Sequence, residues 1–323
     1  MKIKAGIISG AGYTAGELIR LLINHPNAEI SFVHSTSNAG NKIADVHGGL
    51  IGETNLIFSN EHPFEKVDAL FLCSAHGDSK KFMAENIIPK NIKIIDLSTD
   101  YRKESLEHSF VYGLPELNKE RIKKATRIAN PGCFATAIQL AILPLAANNL
   151  LKNEIHVNAI TGSTGAGVKP SSTTHFSWRD NNISIYKPFE HQHLEEINQS
   201  LNQLQNGFNQ PVNFIPMRGN FSRGIHTTTY TDCDLSLDEV KTLYSGFYKD
   251  AAFTFITDKN PDLKQVANTN KCILYLEKHG NKILIVSMID NLLKGASGQA
   301  VHNFNLMFRL EEKTGLLLKP SAF

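Results

Sequence analysis

Apolar residues in the first half of the chain fall into short runs separated by polar loops. Ile3-Lys4-Ala5-Gly6-Ile7-Ile8 reads as a strand, and Leu18, Leu21 and Leu22 beyond it recur at helical spacing. Further strand-like runs cover residues 28–34, 67–73, 92–97 and 126–129. Such alternation predicts a parallel sheet wound with helices. From Phe134 to Leu143 the chain is apolar on most faces, which predicts a buried helix. Pro144 is expected to end or kink it, and a first domain is expected to close there, at residue 147. The pattern then changes. Residues 155–160 alternate as a half-buried strand does, 237–285 read as a helix and alternating strands, and 301–313 as a terminal helix.

Composition narrows this picture. A chain of 323 residues suggests about two domains, and 41% apolar residues are ample for packed cores. The net charge of +2, with acids and bases interspersed, lacks the basic stripe of a nucleic-acid binder. Cys73, Cys133, Cys233 and Cys272 lie far apart, with no CxxC pair. They give neither a disulfide framework nor a zinc spacing, as expected of a reducing cytosol. No signal peptide is expected, and no apolar run approaches the ~20 residues of a membrane span.

Candidate chemistry begins at Ser9-Gly10-Ala11-Gly12-Tyr13-Thr14-Ala15-Gly16. Its glycines do not make a strict GxGxxG. Their place between a strand and a helix nevertheless suits a dinucleotide, whose pyrophosphate needs close backbone approach and a helix N-terminus. The next strand ends in Ser35-Thr36-Ser37 with Lys42 nearby and no acid, which favours the 2′-phosphate of NADP over a free ribose hydroxyl. Ser74 and His76, after the third strand, stand where open parallel sheets bind ligands, and His76 is read as lining the cofactor groove.

Asn130-Pro131-Gly132-Cys133-Phe134-Ala135-Thr136-Ala137 sets a cysteine at a helix start. Unpaired N–H groups and the partial positive charge there favour a thiolate, although a cysteine that merely packs would also fit. Downstream, Ser163, Gly165 and Gly167 lie in a second glycine-rich loop. Residues 168–171 do not begin a helix, so this loop reads as one folding close over a ligand rather than a second cofactor turn. His191 and His193 form a His-x-His pair without an obvious third metal ligand, so acid/base use by one of them is preferred to zinc. Arg218 and Arg223, each beside a glycine, offer forks for a carboxylate or phosphate.

Together these motifs resemble the N-acetyl-gamma-glutamyl-phosphate reductase family over essentially the whole chain. The resemblance is carried by Gly12-Tyr13-Thr14 with Gly16-Glu17-Leu18, by Asn130 to Thr136, by His191-Gln192-His193, and by Asp290-Asn291-Leu292 with Lys294 to Ala300. It implies an α/β fold: a Rossmann-type doubly wound parallel sheet with an inserted α+β catalytic domain. The dinucleotide-binding domain would comprise 1–147 and 300–323, and the catalytic and oligomerisation domain 148–299. It further implies a cytoplasmic, NADP(H)-dependent homodimer or homotetramer acting on a small acyl phosphate, with no metal, nucleic acid or membrane. Three positions depart from the family pattern: Ser9 for a glycine, Asn38 for an arginine and Glu195 for a proline.

On this resemblance Cys133 is the nucleophile, and His193 or, second, His191 the acid/base; their spacing does not separate them. Arg223 and Arg218 would hold substrate, with Ser163 and Gly167 shaping its pocket. Gly165 and Asn291 would meet the nicotinamide. Three rivals stand beside this reading: an aspartate-semialdehyde dehydrogenase, a reductase of carrier-bound amino-adipyl phosphate, and a nucleotide-sensing regulator without chemistry. The last should lack the thiol or the histidines, and both are present.

Overall fold

Apolar runs at the start of the chain become the strands of a fully parallel sheet. The computed structural model describes residues 2–321. In chain order β1 (Ile3–Ile8), α1 (Tyr13–Leu22), β2 (Ala28–Val33), the one-turn α2 (Ile43–Val46), β3 (Ala69–Leu72), α3 (Asp78–Glu85), β4 (Lys93–Asp96), β5 (Val111–Tyr112), α4 (Pro115–Lys124) and β6 (Arg127–Ala129) follow one another. Among the described residues the sheet order is β2-β1-β3-β4-β6-β5, every pairing parallel. All four residues of β3 are buried, as a strand covered on both faces requires. The strand order reverses beside β1, with β2 on one side and β3 on the other. That switch point opens a crevice at the carboxyl ends of β1 and β3.

Beyond Pro131 a second compact unit begins. It contains α5 (Cys133–Ala147), β7 (Ile155–Thr161), the one-turn α6 (Phe176–Arg179), β8 (Ser184–Ile185), α7 (His193–Leu204), β9 (Val212–Arg218), β10 (Ile225–Asp232), α8 (Leu237–Phe247), β11 (Thr254–Thr257), β12 (Cys272–His279) and β13 (Lys282–Ile289). Its sheet is mixed, in the order β11-β12-β13-β10-β7-β9-β8 among the described residues. Buried and half-buried positions alternate along β7 and β10, as the period-2 pattern predicts. Helix α5 lies against β10, β12 and β13, flanked by α7 and α8.

Helix α5 does not end at Pro144 but runs through it to Ala147. Proline removes the bond that would have ended on the Leu140 carbonyl. Tyr248 Oη donates to that carbonyl at 2.6 Å, and Tyr244 Oη donates to the next one, on Ala141, at 2.5 Å. The helix thus keeps its acceptors satisfied from α8 and its flank.

The last helix, α9 (Gly298–Met307), returns to the first unit, which comprises residues up to Pro131 with Ala296–Leu317. It packs on α1, α4 and β4. It stops short of the expected residue 313 because Arg309 takes a left-handed φ of 57° and Leu310 N–H bonds back to the Asn305 carbonyl at 2.8 Å. That is a Schellman-type ending with no glycine to announce it. The compact units divide at 131/132 and 295/296. The division thus falls before α5, where the sequence pattern placed it after, because α5 packs on the second sheet.

Candidate active site

Cys133 is the first residue of α5, after an extended Gly132 that carries no side-chain cap. A helix start left open in this way offers its N–H groups to an anion. The other thiols are poorly placed for chemistry. Cys233 and Cys272 are buried in the core. Burial, with the nearby Asp96 carboxylate, pushes the Cys73 thiol up to about 12. Gly295 lies against Cys133: a Cβ there would stand 2.7 Å from the Cys133 Cβ.

Helix α7 supplies the groups around the thiol's helix. Its first residue is His193, and Glu196 follows one turn later, so both project from the same face. Glu196 is 3% exposed. Its Oε2 accepts the Gly132 N–H at 3.0 Å, and its Oε1 lies 3.8 Å from His193 Nε2. One carboxylate therefore joins the turn before Cys133 to the His193 ring. His191 is engaged otherwise. Its Nδ1 accepts the His193 backbone N–H at 3.2 Å, and burial, with the charge of Lys187, holds its imidazole down at about 4. It is a neutral ring at ordinary pH, packed edge-on to Phe134.

The arginines take different places. Arg223 forms a two-pronged pair with the fully buried Asp290, Nε to Oδ2 at 3.0 Å and Nη2 to Oδ1 at 3.2 Å. Asp290 also accepts the backbone N–H groups of Asn268, Leu292 and Leu293. Arg218, at the end of β9, stacks over the Tyr186 ring at 4.7 Å. Asn291 ties loops together, taking the Gly224 N–H at 2.7 Å and donating to Thr164 Oγ1 at 3.0 Å. The loop carrying Ser163, Gly165 and Gly167 is stitched to residues 221–222 by Ser163 N–H to Phe221 O and Thr164 N–H to Ser222 O. Gly162 permits this, since a Cβ there would meet the Ser222 carbonyl at 2.4 Å.

In the first unit the loop after β1 borders the crevice. Ser9 adopts φ 61°, so the turn is made without the family's usual glycine. A Cβ on Gly10 would stand 2.2 Å from Val33, whereas one on Gly12 would meet nothing within 4 Å. Gly10 therefore serves packing, and Gly12 faces open space. Helix α1 has no side-chain cap, so Tyr13 and Thr14 begin a first turn whose N–H groups are open to an anion. Gly16 makes room for His47, whose Nε2–H donates to the Gly10 carbonyl at 2.8 Å. Ser9 and Ser74 hydroxyls meet at 3.1 Å across the switch point. His76 Nδ1 accepts the Thr99 N–H at 3.2 Å, tying the loops after β3 and β4. At the end of β2, Asn38 donates to Ser35 and Ser37.

Residues 4–125 match the family model for the semialdehyde dehydrogenase NAD binding domain, and residues 133–291 the one for the semialdehyde dehydrogenase dimerisation domain. The N-acetyl-gamma-glutamyl-phosphate reductase of Parabacteroides distasonis is 69% identical over 321 residues, covering 99% of this chain and 100% of that one. That of Azobacteroides pseudotrichonymphae is 67% identical over the same coverage. The chain belongs to the N-acetyl-gamma-glutamyl-phosphate reductase family. Aspartate semialdehyde dehydrogenase II of Vibrio cholerae, complexed with ASA, is similar in fold, with a TM-score of 0.75 at 15% identity over 96% of this chain and 99% of that one.

This family of oxidoreductases uses a nicotinamide dinucleotide, and the crevice fits one. The open Gly12, the uncapped start of α1 and the switch point supply the backbone donors and room that a pyrophosphate needs. Among the described residues, no three His, Cys, Asp or Glu side chains group as metal ligands, and no helix is long and apolar enough to cross a membrane. Three residues of this arrangement, Glu196, His47 and Asp290, were not singled out from the sequence. Glu196 could have been found from its i,i+3 spacing to His193. His47 carried no local signal, because its partner Gly10 lies 37 residues away, and the Asp290-Asn291-Leu292 run did not show that Asp290 pairs with Arg223, 67 residues away.

Proposed function

We propose that the chain reduces N-acetyl-gamma-glutamyl phosphate to N-acetylglutamate 5-semialdehyde and phosphate, in arginine biosynthesis, with NADPH as reductant. One observation carries the reading: Cys133 opens an uncapped helix whose preceding N–H is held by Glu196, the carboxylate that also faces His193. Near-full-length identity to reductases of that name supplies the substrate.

In this reading the Cys133 thiolate attacks the acyl carbon. A C–S bond forms, the bond to phosphate breaks, and a thioester results. The α5 N-terminus stabilises the thiolate before attack. Bound NADPH supplies the hydride that reduces the thioester. His193, favoured over the neutral and committed His191, pairs with the thiolate and steadies the oxygen anion that then forms on the thioester carbon. Collapse of that anion releases the aldehyde and returns the Cys133 thiolate. Glu196 orients His193. Arg218 and the Asp290-anchored Arg223 hold substrate oxygens, while Asn291 shapes the loop bearing Ser163, Gly165 and Gly167 instead of reaching the nicotinamide. Gly10, Gly12, Tyr13, Thr14 and Gly16 form the pyrophosphate loop, with Ser74 and His76 beside it. Ser35, Thr36 and Ser37, with no acid among residues 35–42, receive the 2′-phosphate. A homo-oligomer in the cytoplasm is the setting this implies.

The test runs the reaction in reverse. Phosphate-dependent reduction of NADP should proceed with N-acetylglutamate semialdehyde and hardly at all with aspartate semialdehyde. Preference for the aspartate compound would overturn the reading. Cys133→Ser should abolish turnover and leave NADPH binding, followed by its fluorescence, intact.

A further inference from the structure

The glycine-rich turn after β1 is held from outside itself. Residues 38–59 leave the end of β2, fold back and rejoin it, Ser59 N–H bonding to the Val33 carbonyl at 2.9 Å. Within this excursion Gly40 N–H bonds to the Phe58 carbonyl, Phe58 N–H to that of Asn41 and Ile43 N–H to that of Leu56, each at 2.9 Å. Its own backbone therefore secures it. One of its side chains returns to the turn. His47, half-buried at the end of α2, donates from Nε2 to the Gly10 carbonyl at 2.8 Å. Its ring tilts against the buried Phe58, with centroids 6.2 Å apart. Its other edge lies on α1, where a Cβ at Gly16 would stand 2.6 Å from Nδ1.

Packing alone does not account for this ring, since a phenylalanine would fill the same space without the hydrogen bond. That bond has a directional consequence. A trans peptide carries its C=O and N–H on opposite sides. Holding the Gly10 carbonyl toward His47 therefore turns the Ala11 N–H away from it and fixes that donor. Glycine at position 10 would tolerate the flipped plane as readily, so the orientation needs a partner to choose it. Just before it Ser9 holds φ 61°, a conformation that persists only where its surroundings enforce it. In α1 the Gly16 N–H closes a helical bond on the Gly12 carbonyl at 2.9 Å, and the N–H groups of the turn before it start the helix. His47 is wedged between the turn and this first turn of helix, the two sources of donors for an anion.

We infer that His47 is a positioning residue for the dinucleotide: it locks the Gly10–Ala11 peptide in the orientation that offers the Ala11 N–H to the pyrophosphate. Gly16 belongs to the same device, because only a residue without a side chain leaves the ring its place against α1. The inference rests on the proposed role of residues 10–16 as the pyrophosphate loop. It adds a residue that touches no part of the cofactor and acts through the backbone it holds.

The test is a binding titration of the full chain with two ligands: NADPH, followed by its fluorescence, and adenosine 2′-monophosphate, which has no pyrophosphate, followed by calorimetry. His47→Phe keeps a ring and loses the donor. It should raise the Kd for NADPH about tenfold, the worth of one hydrogen bond, and leave that for the monophosphate unchanged. His47→Gln, which can still donate, should recover most of the loss. Gly16→Ala presses a methyl on the same ring from the helix side. It should weaken NADPH binding in the parent and add nothing in His47→Ala, where the ring is gone; such non-additivity marks a shared mechanism. This cycle carries the test if His47→Phe melts early without ligand. The inference fails if His47→Phe binds NADPH like the parent, or if the effects of Gly16→Ala and His47→Ala simply add. It fails also if both ligands weaken together, since His47 would then only hold the excursion in place. Gly12→Asp tests the premise separately: its carboxylate enters the open space at the turn and should abolish NADPH binding. Normal binding by that variant would overturn the pyrophosphate loop, and the role of His47 with it. Loss in Gly12→Asp with none in His47→Phe would overturn the inference alone.

Discussion

Glu196 reaches the Gly132 N–H with one oxygen and faces the His193 ring with the other, so a single side chain joins the turn before Cys133 to that ring. Glu196→Gln keeps the shape and an acceptor for Gly132 and removes the charge. We expect kcat to fall about a hundredfold with KM little changed, by analogy with other acid/base pairs that lose their orienting carboxylate. A glutamine variant with parental kcat would reduce Glu196 to a structural cap. Gly295 acts by size alone. The methyl of Gly295→Ala would stand 2.7 Å from the Cys133 Cβ and 3.1 Å from its Cα, and neither atom belongs to a flexible chain end. The thiol must shift, and a displacement of this order costs about a hundredfold in rate. Steady-state kinetics and the alkylation rate of Cys133 would both record it, with nicotinamide dinucleotide binding unchanged.

At the scale of elements, strands and loops were largely legible and helix ends were not. Runs such as Val67–Cys73 announced β3, and the open Asn130–Ala137 turn announced the start of α5. Pro144 misled, because the hydroxyls that satisfy Leu140 and Ala141 come from Tyr248 and Tyr244, a hundred residues downstream. Arg309 misled in the opposite sense, by ending α9 without a glycine. The segment after α9 is held by charge. Glu312 meets Lys119 of α4 at 2.5 Å and the buried His302 of α9 at 2.9 Å. Burial alone would raise its carboxyl; His302 and Lys119 overcome that and hold it at about 2. A carboxyl held low stabilises the fold above its ordinary range near 4.5 and loses that contribution as pH falls toward 2. Glu312→Gln should therefore lower the stability of the first unit by about 1–2 kcal/mol at pH 6, discounted for partial exposure. The difference should vanish near pH 2. Denaturant titrations at the two pH values would check it.

For the whole molecule, the discontinuous first unit has a consequence for how the chain is made and how it fails. Its sheet is complete by Ala129, yet the unit takes in Ala296–Leu317 as well. Phe304 of α9 is fully buried and tilts against Phe71 of β3, with ring centroids 5.8 Å apart. Asn303 donates to Asn130 Oδ1 at 3.0 Å and to the Gly113 carbonyl at 2.9 Å, and Asn130 donates in turn to the Ala296 carbonyl at 3.0 Å. The bonds that hold the Asn130 side chain, in the turn that leads to Cys133, thus form only after the last helix has been synthesised. The pairing of β1 with β2 is local, whereas these contacts close a loop through the entire second unit, and such closure comes late. Phe304→Ala should empty this seam at a cost of about 3–5 kcal/mol. Because the second unit has a core of its own, the two should part on heating. Nicotinamide dinucleotide binding should be lost at a lower temperature than the α5–α8 packing, read from Tyr244 and Tyr248 absorbance. If both were lost together in the variant as in the parent, the units would unfold as one, and α9 would be stabilising the whole chain and not the dinucleotide-binding unit alone.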